Sequence, residues 1–131
     1  FRRESTNNLT YPYQNITIRN SFFDMPYLYM LFSYMRNINI SNNYISIRSS
    51  QNKGRTQGLH FTNCEYMNIG SNILSVGNTS QNPGMSFSSC KNFIMSGNLF
   101  CYSDDGGGIK QSDIIMSNCA RYNITYNQFD S

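Results

Sequence analysis

The sequence predicts an all-β solenoid, a single-stranded right-handed parallel β-helix of about four to five coils with three short strands in each. Three observations carry that reading. A strand-turn-strand phrase recurs without internal gaps, apolar residues alternate inside each copy, and an asparagine returns at one place in every full copy.

Residues 1–14 read as an irregular segment or incomplete coil, and the β-helix takes residues 15–131. A half copy, Asn15 to Phe22, comes first and reads one residue short at its turn. The next copy runs from Met30 to Ile47, the clearest from Gly58 to Val76, the next from Gly84 to Tyr102, and the last from Asp113 to Phe129. Measured from Ile38 through Met67 and Phe93 to Tyr122, the steps are 29, 26 and 29 residues. A period that drifts in this way separates the repeat from the stricter helical arrays.

Within each copy, pairs such as Leu59/Phe61, Met67/Ile69 and Leu74/Val76 alternate with polar residues. That is the period of a strand, not of a helix. No such strand can bury a face alone, so copies must stack with equivalent strands paired in parallel about 4.8 Å apart. Stacking aligns Met30, Leu59, Met85 and Ile114; Phe32, Phe61, Phe87 and Met116; and Ile38, Met67, Phe93 and Tyr122. Two further columns hold Ile40, Ile69, Met95 and Ile124, and Ile45, Leu74, Phe100 and Phe129. Burying each large side chain is worth roughly 1.5–3 kcal/mol, so these columns should hold most of the stability.

The column Asn43, Asn72, Asn98 and Asn127 falls where the second strand bends into the third. Asparagine tolerates a left-handed backbone there, and stacked amides can hydrogen-bond along the column. Cys64, Cys90 and Cys119 form another column, with Met35 in the same place one copy earlier. Their stacked side chains point the same way, which favours free thiols and a chain folded in a reducing compartment. The column offers no tetrahedral metal grouping with histidine. Arg36, Glu65, Lys91 and Ala120 share a third column, expected to be an exposed row of alternating charges.

Charged residues make up 13% of the chain against a typical quarter, and the net charge of +3 is scattered, with no run longer than Arg2-Arg3. Nucleic-acid binding, which needs clustered cations, is therefore not expected. Neither is membrane insertion, because no apolar stretch approaches the length that crosses a bilayer and the N-terminus lacks an h-region.

With its asparagine column, three short strands per copy and variable loops before each first strand, the chain from about Asn15 onward resembles the pectate-lyase-like right-handed β-helix superfamily, most of all the bacteriophage tailspikes. The resemblance implies handling of a polysaccharide along the outside of the stack, in a groove beside the first strands and the loops leading into them. It also implies a homo-oligomer, with a trimer as the tailspike form, or the rest of a longer chain. No capping helix precedes the first coil and no polar cap follows Phe129, so a fragment or an end covered by partner subunits is expected. A tailspike-like chain would fold in a reducing cytoplasm and work on a virion or extracellular surface.

The groove loops span Asp24 to Tyr27, Ser49 to Gln57, Gly77 to Pro83 and Ser103 to Ser112. In the last, Asp104 and Asp105 look like the paired aspartates of polygalacturonase-type hydrolases, and glycoside hydrolysis needs two carboxyl groups at a set separation. Asp113 and Lys110 complete the candidate catalytic set. The family's histidine-glycine and arginine-isoleucine-lysine motifs are not reproduced; Gly108-Ile109-Lys110 is a partial echo. A polysaccharide lyase or uronate epimerase would instead need a base with Lys110 or Arg55 neutralising the uronate carboxylate. The composition also suits a solvated loop. No cofactor follows from the sequence; calcium is the one cation that the aspartates and carbonyls of this loop would suit.

His60 lies between inward Leu59 and Phe61 and should point outward, beside column mates Leu31, Ser86 and Ile115. An outward histidine in the groove can transfer protons or bind substrate. Arg55 and Tyr29 are the other substrate-binding candidates. Tyr27, Tyr34, Tyr66 and Tyr126 add aromatic faces suited to sugar rings or to a neighbouring subunit. Few carboxylates lie outside Asp104, Asp105 and Asp113, which favours the alternative of a non-catalytic structural or adhesive rod.

Overall fold

The computed structural model describes residues 13–25, 28–47, 58–77, 84–103 and 114–129. Fourteen strands fill them, in three groups that recur coil by coil. The first strands of successive coils are β3 (Tyr29–Ser33), β6 (Gly58–Thr62), β9 (Met85–Ser88) and β12 (Ile114–Ser117). The second strands are β1 (Tyr13–Arg19), β4 (Met35–Ser41), β7 (Glu65–Gly70), β10 (Lys91–Ser96) and β13 (Ala120–Thr125). The third are β2 (Phe22–Met25), β5 (Tyr44–Ile47), β8 (Ile73–Gly77), β11 (Leu99–Ser103) and β14 (Gln128–Phe129).

Each group forms its own parallel sheet, ordered β3-β6-β9-β12, β1-β4-β7-β10-β13 and β2-β5-β8-β11-β14. Strands adjacent in a sheet are therefore one coil apart in sequence. This is a parallel β-helix with three strands per coil, as the repeat predicts.

The register places the expected columns as expected. Met30 pairs with Leu59 and Leu59 with Met85; Ile38 pairs with Met67, Met67 with Phe93, and Phe93 with Tyr122. Every inward column is buried through its middle coils, where Phe32, Phe61, Phe87, Phe93 and Phe100 are among the largest enclosed side chains. Like residues one strand spacing apart bring rings face to face. Phe32, Phe61 and Phe87 stack at 4.9 Å, the row crosses to Phe93 at 4.8 Å, and it continues to Tyr122 at 5.5 Å. Offset aromatic pairs of this kind add about 0.5–1.5 kcal/mol beyond burial.

Two turn expectations need correction. The first half copy is not short: Ile18 pairs with Ile40, Arg19 with Ser41 and Phe22 with Tyr44, so the turn between them has its full length. Ser21 takes the asparagine place, and its N–H donates to Asn43 Oδ1 at 3.0 Å. The stacked asparagines are also not the left-handed residues. The residue before each one is, at Asn42 (φ 56), Ser71 (φ 54), Gly97 (φ 68) and Tyr126 (φ 56), with Asn20 (φ 52) in the first coil.

The bend and the amide column are thus separate jobs on neighbouring residues. The backbone reversal falls to whatever precedes, which explains why that position varies from Asn to Ser, Gly and Tyr. The asparagine turns inward, where only its amide satisfies the carbonyls and N–H groups that the turn leaves unpaired. Two more left-handed columns shape the corner between the first and second strands. One is Tyr34, Asn63, Ser89 and Asn118; the other is Asn15, Asn37, Tyr66, Asn92 and Arg121.

Candidate functional site

The outer face of the first sheet follows from alternation. Leu59 and Phe61 face the core, so His60 between them faces out; Met85 and Phe87 do the same for Ser86. The register then sets Leu31 above His60, and His60 above Ser86. His60 Nδ1 and Ser86 Oγ are hydrogen-bonded at 2.5 Å. Tyr29 pairs with Gly58, whose lack of a side chain leaves room, and the Tyr29 ring leans over the imidazole with centroids 5.2 Å apart at 49°. Tyr29 is 47% exposed, while His60 and Ser86 are half-buried.

Tyr29 and His60, named from sequence on separate grounds, therefore stand together. Ser86 is the residue that sequence reasoning passed over. The signal was present, since Ser86 follows His60 by one 26-residue coil. Among the described outward residues of this sheet, from Tyr29 and Leu31 to Ile115 and Ser117, there is no carboxylate.

Asp104, Asp105, Lys110 and Asp113, in the segment between β11 and β12, lie outside the described residues, as do Arg55, between β5 and β6, and Tyr27. Of the other tyrosines, Tyr66 and Tyr126 are exposed and Tyr34 is half-buried. Among the described residues, no three His, Cys, Asp or Glu side chains gather as a metal site. Nor is any helix among them long and apolar enough to cross a membrane.

Around the corner on the second sheet, the charged column takes a different form from the exposed row expected. The Glu65 side chain is only 8% exposed, and its carboxylate is held by Lys91 Nζ at 3.2 Å and Arg36 Nη1 at 3.7 Å, whose side chains are 45% and 39% exposed. A carboxylate so enclosed requires pairing, because burial removes its hydration. Glu65 is thereby committed to holding β4, β7 and β10 together.

The thiols are free, as the stacking implies. Each donates to a carbonyl of the coil before: Cys64 to Phe32 at 3.4 Å, Cys90 to Phe61 at 3.4 Å and Cys119 to Phe87 at 3.5 Å. The Cys64 thiol beside it, and then burial, push the Cys90 thiol well above its ordinary value of 9.0. The same contact with Cys90 acts the other way on Cys64, whose thiol is lowered, and both thiols are enclosed in the core.

Comparison of the chain with family models, with curated proteins and with solved structures finds no match in any of the three.

Proposed function

We propose that this chain is a polysaccharide-binding segment of a β-helix, with its glycan face on the outside of the first sheet. The observation that carries the reading is the pairing of Tyr29 with His60 on that face. An exposed aromatic ring offers a surface for the C–H face of a sugar, and an imidazole beside it can hydrogen-bond ring hydroxyls. Four stacked strands give three gaps of about 4.8 Å, a flat face about 14 Å tall that suits a linear polymer better than a small compact ligand. Successive strands of one sheet hold contacts at a fixed spacing, which suits an extended chain.

The finer reading is a pectate-lyase-like, tailspike-like protein, assembled as a homo-oligomer and acting at a virion or extracellular surface. Asp104 and Asp105, with Asp113 and Lys110, are its proposed hydrolytic groups, and Arg55 is a further contact to glycan. A lyase or epimerase would use Lys110 or Arg55 against a uronate carboxylate.

Binding is tested on a panel of capsular and wall polysaccharides. Tyr29→Ala is expected to weaken the best ligand at least about tenfold, or about 1.4 kcal/mol. No binding by the parent across the panel would remove the reading. Cleavage is tested by reducing-end and unsaturated-product assays on Asp104→Asn and Asp105→Asn; product formation unchanged in both removes them as catalysts.

A second reading, a non-catalytic structural or adhesive rod, is favoured by one observation. The described part of the first-sheet face carries no carboxylate, and Glu65, around the corner, is spent on an ion-paired column.

A further inference from the structure

We propose that Ser86 and His60 form a nucleophile-base pair that removes O-acyl groups from the bound glycan. The identity of the ester's carrier rests on the polysaccharide reading; the chemistry of the pair does not. A serine hydroxyl in hydrogen-bond contact with an imidazole is the machinery of acyl transfer.

The geometry is set by the fold. His60 and Ser86 are register partners on adjacent strands of a parallel sheet, and inward Leu59, Phe61, Met85 and Phe87 fix both backbones. At 2.5 Å, Nδ1 and Oγ are in close hydrogen-bond contact, the relationship a nucleophile and its base require. Tyr29 lies against the imidazole and limits its rotation. Neither residue is enclosed, so an ester on a surface polymer can reach them.

With the ring proton on Nε2, Nδ1 is the acceptor. Ser86 Oγ attacks the ester carbonyl carbon as its proton passes to Nδ1, and the new Oγ–C bond gives a tetrahedral intermediate. The bond from carbon to the sugar oxygen then breaks, and that oxygen takes the proton from Nδ1, leaving acyl-Ser86. Water attacks the acyl carbon, giving a proton to Nδ1; the carbon–Oγ bond breaks, Oγ regains the proton, and a carboxylic acid departs. Nothing is oxidised or reduced, and water is the only co-reactant.

The test uses a fluorophosphonate probe and p-nitrophenyl acetate on the full chain, with an O-acetylated and a deacetylated sample of each polysaccharide in a binding panel run alongside. The expected result is a mass adduct on Ser86 together with nitrophenolate and acetate release. Turnover should fall more than about 10³-fold in Ser86→Ala and about 10²-fold or more in His60→Gln. Ser88→Ala, on the same strand, should label and turn over like the parent, and circular dichroism checks that each variant is folded. An adduct at another serine, no adduct, or parental turnover in folded Ser86→Ala overturns the assignment. Glycan binding without an adduct sinks the esterase and leaves the polysaccharide reading standing; an adduct on Ser86 without glycan binding does the reverse.

Discussion

Asn43 donates twice to the same oxygen of Asn72, from its backbone N–H at 3.1 Å and from Nδ2 at 3.0 Å. Asn72 repeats the gesture toward Asn98 at 3.0 and 2.9 Å, and sends its other Nδ2 proton to the carbonyl of Ile40 at 2.9 Å. One buried amide thus ties three coils together with no donor or acceptor left over.

Removing that amide from the middle of the column orphans the Asn43 N–H, one of the two Asn43 Nδ2 protons and the Ile40 carbonyl at once. Each buried orphan costs about 1–3 kcal/mol. Asn72→Ala is expected to lower unfolding free energy by about 3 kcal/mol or more, read from urea denaturation. Asn127→Ala, at a half-buried place where water can substitute, should cost about 1 kcal/mol. Equal losses at the two sites would contradict a ladder whose strength depends on burial.

Glu65 should reveal its two cations by their combined loss. Arg36→Met or Lys91→Met alone leaves one partner for the carboxylate, and partly exposed pairs are weak, so each should cost about 1 kcal/mol or less. The double variant strands an enclosed charge and should exceed the sum of the singles, reaching about 3 kcal/mol at neutral pH. A simply additive double-mutant cycle would show that Glu65 does not depend on both.

The aromatic row gives a packing test. Phe61 lies between Phe32 and Phe87, in contact with both at 4.9 Å, and is fully buried. Phe61→Ala should cost about 3–5 kcal/mol by thermal or urea unfolding, and Phe61→Leu clearly less.

For Cys90 the prediction is one of sign. Its thiol is raised in the folded chain, by Cys64 first and burial second, so above the ordinary value of 9.0 the unfolded chain loses a proton that the folded chain keeps. The thiol costs nothing below that pH, and stability falls as pH rises beyond it, by up to about 1.4 kcal/mol per pH unit. Above pH 9 the parent should therefore show a steeper decline of unfolding free energy than Cys90→Ala, which lacks the raised thiol. Iodoacetamide at neutral pH should alkylate half-buried Cys101 and Cys119 before Cys64 or Cys90, as read by peptide mass.

Much of the fold was legible because a β-helix writes its packing into the sequence twice, as alternation within a strand and as recurrence between coils. Phe61 under Phe32, and Asn98 under Asn72, follow from counting alone. The backbone of the turns was not legible, because the left-handed residue and the inward amide are neighbours and asparagine suits either task; at Asn42-Asn43 both are asparagine. Burial of Glu65 was also hidden. A charged residue in an outward-reading column looks solvated until Arg36 and Lys91 of the neighbouring strands are seen to close on it. Of the site, His60 was legible from alternation and Tyr29 as an aromatic face, while Ser86, one serine in a serine-rich chain, was marked only by its place one coil after His60.

Vertical adjacency of the asparagines is the most direct measure of the stacked coils. In a nuclear Overhauser spectrum of the chain labelled with nitrogen-15, the side-chain amide protons of Asn72 should show cross-peaks to those of both Asn43 and Asn98, residues 29 and 26 positions away. Asn72 amide protons that contact only their sequence neighbours, and exchange with water as freely as those of an exposed asparagine, would contradict the solenoid and the glycan face built on it.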